Sequence, residues 1–268
     1  MGDRRAIFIT GGGSGIGRAV AVYFGQRGWF VGLGDIDKAG MRETEEMIAN
    51  GFVYSHPLDV RDRSAWDEAL DAFCVAAGGR IDVLFNNAGV PLGGSLTENS
   101  AEEIERTLDI NLKGVLFGAQ AAYPYLKQTA PGSCLLNTAS AAGLYGTPGA
   151  SVYSATKFGV RGMSESLDAE WSQHGINVRS IMPSFIDTPL IQHNPNDRSN
   201  ASIKEQVMAA GLEITPVNEV GEAAWEAVHG DKLHTTVGKT AKRVAFASRW
   251  MPGQMRKQAR KRAALGVD

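Results

Sequence analysis

The chain contains only two cysteines, Cys74 and Cys134, far apart and without CxxC or metal-ligand spacing. That excludes a disulfide framework and a thiolate metal site, and predicts buried, reduced thiols in a cytosolic protein. No apolar run approaches the roughly 18 residues needed to span a bilayer. The pair Arg4-Arg5 is followed by AIFI, which stops at a glycine loop, too short for an export signal. Met1-Gly2 does not read as a myristoylation site, because Ala6 stands where Ser or Thr is required. An excess of one charge is missing as well: 27 Lys and Arg face 29 Asp and Glu, a net charge of −2. Nothing in that balance favours a nucleic-acid partner. The five histidines, His56, His174, His193, His229 and His234, show neither metal nor catalytic-triad spacing. Linker, repeat and low-complexity segments are absent.

Glycine is the abundant residue, at 32 of 268. Short apolar runs rich in β-branched residues alternate with helix-length stretches: AIFIT (6–10), FVGLGD (30–35), FVYSHPLD (52–59), VLFNNA (83–88), CLLNTAS (134–140), NVRSIMPS (177–184) and HTTVG (234–238). Parallel strands need a crossover that buries its own apolar stripe, so this alternation predicts a doubly wound α/β fold. The expected architecture is a parallel sheet of about seven strands with helices on both faces, in one domain over residues 1–238. A basic helical tail is expected over 239–268.

The first crossover reads TGGGSGIGRAV, Thr10 to Val20, between a strand and a helix. Gly11, Gly13, Ser14, Gly15, Ile16 and Gly17 form a loop whose glycines permit a tight turn and a close approach of backbone to a pyrophosphate. The helix N-terminus behind it offers free N–H groups to that phosphate. A tight strand-to-helix turn also favours glycine without any ligand. Asp35 ends the second strand about 20 residues beyond the loop, where a carboxylate holds ribose hydroxyls and repels a 2′-phosphate. Ile36 and Asp37 follow it, and Ser14 rather than a basic residue sits within the loop, so the cofactor expected is NAD. Asp37 suits the N-cap of the next helix. Lys38 and Arg42 keep NADP open.

With these motifs the chain resembles the short-chain dehydrogenase/reductase family from Arg5 to about Gly238. TGGGSGIG has the family's glycine spacing, LDV (58–60) ends the third strand, and NNAG (86–89) ends the fourth. The resemblance implies that Asp59 and Val60 meet the adenine edge and that Asn87, Ala88 and Gly89 line the cofactor groove. It implies that Asn111, in DINLKGVLFGAQ, holds a water linked to an active-site lysine. It also implies that Pro183, Ile186 and Thr188 contact the nicotinamide carboxamide, and that the protein is a homotetramer or homodimer. The chain departs from the family at Ser184, where glycine is usual.

Within SVYSATKFGVRGMSESL, Tyr153 and Lys157 lie four residues apart, on one face of a helix. In isolation that pair describes an ordinary amphipathic helix. Ser140, thirteen residues before Tyr153 and at the end of the fifth strand, changes the reading. A neighbouring ammonium stabilises a phenolate, each pKa unit requiring roughly 1.4 kcal/mol. Lys157 is therefore expected to lower the pKa of Tyr153, making it a general acid/base, while Ser140 orients the substrate oxygen. No histidine is placed to make Ser140 a nucleophile.

Leu144, Tyr145 and Pro148, with Leu190, Ile191 and Met208 from a polar, turn-rich lid over about 185–216, are expected to form an apolar pocket beside Ser140 and Tyr153. Its substrate would be a hydrophobic secondary alcohol or ketone. Beyond Gly238 the sequence turns basic: five of the seven residues from Arg256 to Arg262 are Lys or Arg, with Val244, Phe246, Trp250 and Met251 upstream and a break at Pro252-Gly253. This tail reads first as a segment packed on a neighbouring subunit, and second as an interfacial membrane contact. The functional expectation is an NAD-dependent oxidoreductase. A dinucleotide-sensing protein without turnover, or an NADP-dependent ketoreductase, are the alternatives.

Overall fold

The computed structural model describes residues 4–48, 51–196 and 198–264. The Met1-Gly2 pair, Asp197 of the 185–216 segment and the last four residues of the tail lie outside them. Seven parallel strands form one sheet in the order β3-β2-β1-β4-β5-β6-β7. They are β1 (Ala6–Thr10), β2 (Phe30–Asp35), β3 (Val53–Pro57), β4 (Val83–Asn86), β5 (Ser133–Thr138), β6 (Ile176–Pro183) and β7 (His234–Val237). All seven expected strands are present, and the doubly wound single domain is the observed fold.

Alternation along each strand divides the core into two layers. From β1, Ile7 and Ile9 enter the layer shared with Val20 and Phe24 of α1 (Gly15–Gly25) and Val220 and Ala224 of α9 (Asn218–His229). Ala6 and Phe8 enter the opposite layer, with Trp66 and Phe73 of α3 (Arg63–Ala76) and Ala122 of α5 (Gly114–Thr129). Cys134 is fully buried, and burial pushes its thiol up to about 12. Cys74 is only partly covered, a departure from the expectation that both thiols are buried.

Strand order reverses between β1 and β4, and at such a point the carboxyl ends of neighbouring strands leave a crevice. Thr10 closes that end of β1: its hydroxyl accepts hydrogen bonds from Asn87 N and Ala88 N, each 3.0 Å. Asn87 donates to Thr10 O at 2.9 Å and accepts from the Thr138 hydroxyl at 3.2 Å, tying together the ends of β1, β4 and β5. The NNAG turn is thus a brace for three strands.

At the opposite end, buried Asp82 accepts from Ala6 N at 2.8 Å and from Arg80 Nη2 at 2.6 Å. Removing its carboxylate strands a buried N–H and a guanidinium. Asp82→Ala is expected to lower stability by about 2–4 kcal/mol in chemical denaturation; an unchanged midpoint would show the pair to be dispensable.

Candidate active site

Three elements meet at the carboxyl ends of β4, β5 and β6. Ser140 follows β5 and caps a 3₁₀ turn, Ala141–Gly143, its hydroxyl accepting from Ala142 N at 3.1 Å. Tyr153 and Lys157 stand in the first two turns of α6 (Ser151–Ser172). The turn lies against α6 because Gly143 has no side chain: a Cβ there would lie 2.7 Å from Lys157 O. Asn111 comes from a π-helical turn, Asp109–Lys113, between α4 (Ala101–Leu108) and α5. Such turns relax the helical ladder and recur at functional sites.

Lys157 is 3% exposed, its ammonium donating to Thr138 O at 2.9 Å. Burial holds its pKa down at about 8. Tyr153 keeps partial exposure, yet burial of its hydroxyl pushes the phenol above its ordinary value, while a hydrogen bond with Ser140 pulls the other way. Lowering of that pKa by Lys157 together with a bound nicotinamide ring is part of the proposed mechanism. The ammonium is turned to the end of β5 and lies 5.6 Å from the Tyr153 ring centre. The Ser140 hydroxyl is 3.5 Å from Pro183 O, at the limit of a hydrogen bond, so its proton is not firmly committed.

Asn111 is fully buried and grips Val90 on both sides, donating to Val90 O and accepting from Val90 N, each at 2.8 Å. Its amide thus fixes the loop after β4. A Cβ placed on Gly89 would lie 3.2 Å from Asn111 Oδ1 and 3.8 Å from Lys157 Nζ. Gly89 thus leaves the space between these two groups open.

The glycine loop after β1 is tightly turned. Gly11 and Gly15 have φ of 66° and 51°, and a Cβ on Gly17 would lie 2.0 Å from Gly11 O. Ser14 is the N-cap of α1 but makes no side-chain cap bond, so it leaves the first N–H groups of that helix to a ligand. Ile16, half-buried, packs against the core layer behind the loop. Asp35 accepts from Gly13 N at 2.9 Å and Asp37 N at 3.0 Å, which fixes its carboxylate at the loop. Asp37 caps α2 (Lys38–Met47), as expected. Ile36, 74% exposed, offers a flat apolar surface beside Asp35. A cleft of about 850 Å³ runs past Gly13, Ser14, Gly15, Asp37, Asp187 and Pro189. Ser140, Tyr153 and Lys157 do not line it.

Other expected contacts are altered. Asp59 is tied to Arg61, with Nη2 to Oδ2 at 2.6 Å, and that guanidinium holds its carboxyl below the usual range. Val60 is buried, its carbonyl accepting from Trp66 Nε1 at 3.0 Å. Ile186 is 3% exposed and its side chain belongs to the core, so only its main chain can meet a carboxamide. Thr188 lies against the glycine loop: a Cβ on Gly15 would come within 3.3 Å of it. Ser184 needs no glycine geometry, since no described non-glycine residue has positive φ. The left-handed residue is Gly238 instead, φ 86°, where a Cβ would lie 2.8 Å from Ser184 Oγ.

Of the expected pocket residues, Leu144 packs partly into the cluster of Val115, Ala139, Val160 and Met182. Tyr145 and Leu190 are half-buried, Ile191 is buried, and Pro148 and Met208 are exposed. The 185–216 segment folds into α7 (Pro189–Gln192) and α8 (Ile203–Ala209) and is tied to the loop after β4, Gly93 N donating to Pro195 O at 2.7 Å. Met208 thus faces outward, contrary to its expected place in the pocket.

Sequence reasoning missed the latch behind the glycine loop. Arg18 donates to Gly40 O at 3.2 Å, Thr44 Oγ1 at 3.0 Å and Glu43 at 2.7 Å; buried Thr44 donates to Gly12 O at 2.9 Å. It missed Thr10 and Thr138 too. Thr10 begins the loop motif and signalled only a strand end; nothing local marks Thr44 or the Thr138 carbonyl.

The short chain dehydrogenase family model matches residues 5–199. The chain belongs to that family. An oxidoreductase of Staphylococcus aureus is 33% identical over 220 residues, covering 81% of this chain and 94% of its own. A 3-oxoacyl-[acyl-carrier-protein] reductase of Thermotoga maritima is 36% identical over 197 residues, 72% of this chain and 78% of its own. Among solved structures, levodione reductase matches with TM-score 0.78 at 26% identity, covering 89% of this chain and 98% of its own. A family member from Burkholderia phymatum, in complex with NAD, matches with TM-score 0.83 at 25% identity, covering 96% and 95%. The class is thus an oxidoreductase of the short-chain dehydrogenase family.

Because folding lowers the pKa of Lys157, the folded state binds fewer protons than the unfolded chain between about pH 8 and 10.5, and stability from this residue rises with pH across that window. Without dinucleotide, Lys157→Met is therefore expected to gain stability relative to wild type as pH falls from 10 to about 8, by on the order of 2 kcal/mol. Denaturation at both pH values measures this; a difference independent of pH would contradict the burial of a charged amine.

Proposed function

We propose that the protein transfers hydride between NAD(H) and a hydrophobic secondary alcohol or ketone, with Tyr153 as general acid/base. The observation that carries this is the convergence of the Ser140 hydroxyl, the Tyr153 phenol and the Lys157 ammonium where β5 and α6 meet. The residues fit a dinucleotide: Ser14 leaves the α1 N-terminus open toward a pyrophosphate, and Asp35 stands ready at the loop for ribose hydroxyls. When bound, the nicotinamide supplies or accepts the hydride.

Everything else falls to this chain's own side chains. Tyr153 is placed to give its hydroxyl proton to a ketone oxygen as the alkoxide develops. Ser140 donates to the same oxygen and stabilises its charge. Lys157 puts a positive charge beside the tyrosinate left when Tyr153 gives up its proton, and offers N–H groups toward ribose hydroxyls. Asn111 acts as a positioning residue: by fixing Val90 it holds the loop after β4, and any water link to Lys157 would run through its main chain. Gly89, Pro183, Ile186 and Thr188 remain the proposed neighbours of the nicotinamide, Ile186 through its backbone, and Asp59, Val60, Asn87 and Ala88 those of the adenosine half.

NAD is favoured over NADP because Asp35 presents a carboxylate at the ribose position and the nearest guanidinium, Arg18, is already engaged by Glu43 and the Gly40 carbonyl. An apolar substrate is favoured by Leu144, Tyr145 and Leu190, which bring no charge. A cytosolic homo-oligomer completes the reading; Leu108, Leu116 and Phe158, 37%, 46% and 41% exposed, form a surface that subunit contact would cover.

Tyr153→Phe is expected to lower kcat for ketone reduction by about 10²–10⁴ while NAD binding, followed by calorimetry, changes only a few-fold; undiminished turnover would reject Tyr153 as the proton donor. Turnover with NADH should exceed that with NADPH, and Asp35→Ser should raise kcat/KM for NADPH by about tenfold or more. An NADPH preference in the wild type would overturn the role given to Asp35.

A further inference from the structure

The outer face of α10 (Lys239–Trp250) has no part in the catalytic reading. Lys239, Lys242, Arg243, Phe246, Arg249 and Trp250, spaced three and four apart, are all exposed and share one side of the helix. Phe246 is 61% and Trp250 65% exposed, large apolar surfaces left in water. Arg249 lies over the Trp250 ring at 5.3 Å, and Lys239 is 3.7 Å from Glu213. The opposite side of α10 is anchored: Ala241 is fully buried, and the helix packs on β7 and on the 141–143 turn that follows Ser140. Past Met251, α11 (Pro252–Ala264) exposes Arg256, Lys257, Arg260 and Lys261.

Charge is sharply segregated here. Nine of the chain's 27 Lys and Arg lie from Lys239 to Arg262, whereas only Asp268 of its 29 Asp and Glu lies beyond Gly238. A helix that docks on a protein surface needs an apolar stripe. Among the described side chains of α11 that stripe is reduced to Met255 and Ala259, four apart and partly covered, and the remainder from Pro252 to Lys261 is exposed. Tail-to-tail packing with a second copy would bring two such cationic segments together. Dense negative charge beside an apolar layer satisfies both helices at once, since cations seek the phosphates and aromatic rings settle at the headgroup boundary.

We propose that α10 and α11 dock the protein peripherally on an anionic membrane surface, with Phe246 and Trp250 entering the headgroup layer and α11 lying against lipid phosphates. No described helix is long and apolar enough to cross a membrane, so the attachment is to one face of the bilayer. The docking surface stands whether or not the hydride-transfer reading holds. If that reading holds, α10 places the Ser140 turn close to a lipid phase in which apolar ketones concentrate.

Flotation of the full-length protein with phosphatidylcholine vesicles, with and without about 30% phosphatidylglycerol, tests this. Recovery with the anionic vesicles should exceed that with neutral ones by about tenfold or more, and fall when salt is raised to about 1 M. The variant R256Q/K257Q/R260Q/K261Q should partition on the order of a hundredfold more weakly, and F246A/W250A about tenfold more weakly. Both should keep the wild-type circular dichroism and the wild-type rate of ketone reduction in vesicle-free solution. Brominated lipid should quench wild-type tryptophan emission more than that of W250F. Equal recovery with both vesicle types, or variants that bind like wild type, would overturn the proposal. A wild type that ignores vesicles, combined with a smaller assembly for F246A/W250A in sedimentation, would assign the face to a second copy of the chain instead.

Discussion

The active site rests on one hydrogen bond, from the buried Lys157 ammonium to the Thr138 carbonyl at the end of β5. A lysine enclosed to this degree pays in desolvation, and its lowered pKa measures that cost. The bond is possible only because the strand end and the second turn of α6 are pressed together, and Gly143 is the residue that lets them approach. Ser140 and Tyr153 are held by the same approach. Loosening it would separate the three groups at once, so the chemistry inherits its precision from the packing of one helix on one strand end.

Two neighbouring groups are each pushed toward their neutral forms in this cleft: the phenol of Tyr153 upward and the amine of Lys157 downward. A low-dielectric pocket does this to any charge that lacks a partner. The four-residue spacing does bring the two together, with the ammonium 5.6 Å from the ring centre, and burial opposes charge on both groups.

The cofactor side is organised by a different economy. The glycine loop, Thr10, Arg18 and Thr44 form a scaffold in which backbone N–H and carbonyl groups are held by side chains from β1, α1 and α2. Asp35 joins that scaffold through Gly13 N, so the residue read as a ribose ligand also shapes the loop that would receive the pyrophosphate.

The sequence by itself determined the seven strands, their parallel order of construction, the glycine loop, the Asp37 cap and the set Ser140, Tyr153 and Lys157, because each depends on periodicity, turn chemistry or short spacing. The tertiary structure alone decided what those residues touch. Asn111 grips Val90 across 21 residues of chain, Ile186 turns into the core, Met208 faces water, Gly238 rather than Ser184 takes the left-handed geometry, and Lys157 faces a strand carbonyl. Local sequence fixes where a side chain leaves the backbone, but burial and partners depend on segments far away in the chain. For that reason pKa directions, the lining of the pocket and the exposure of the α10 aromatics emerged only from the folded molecule.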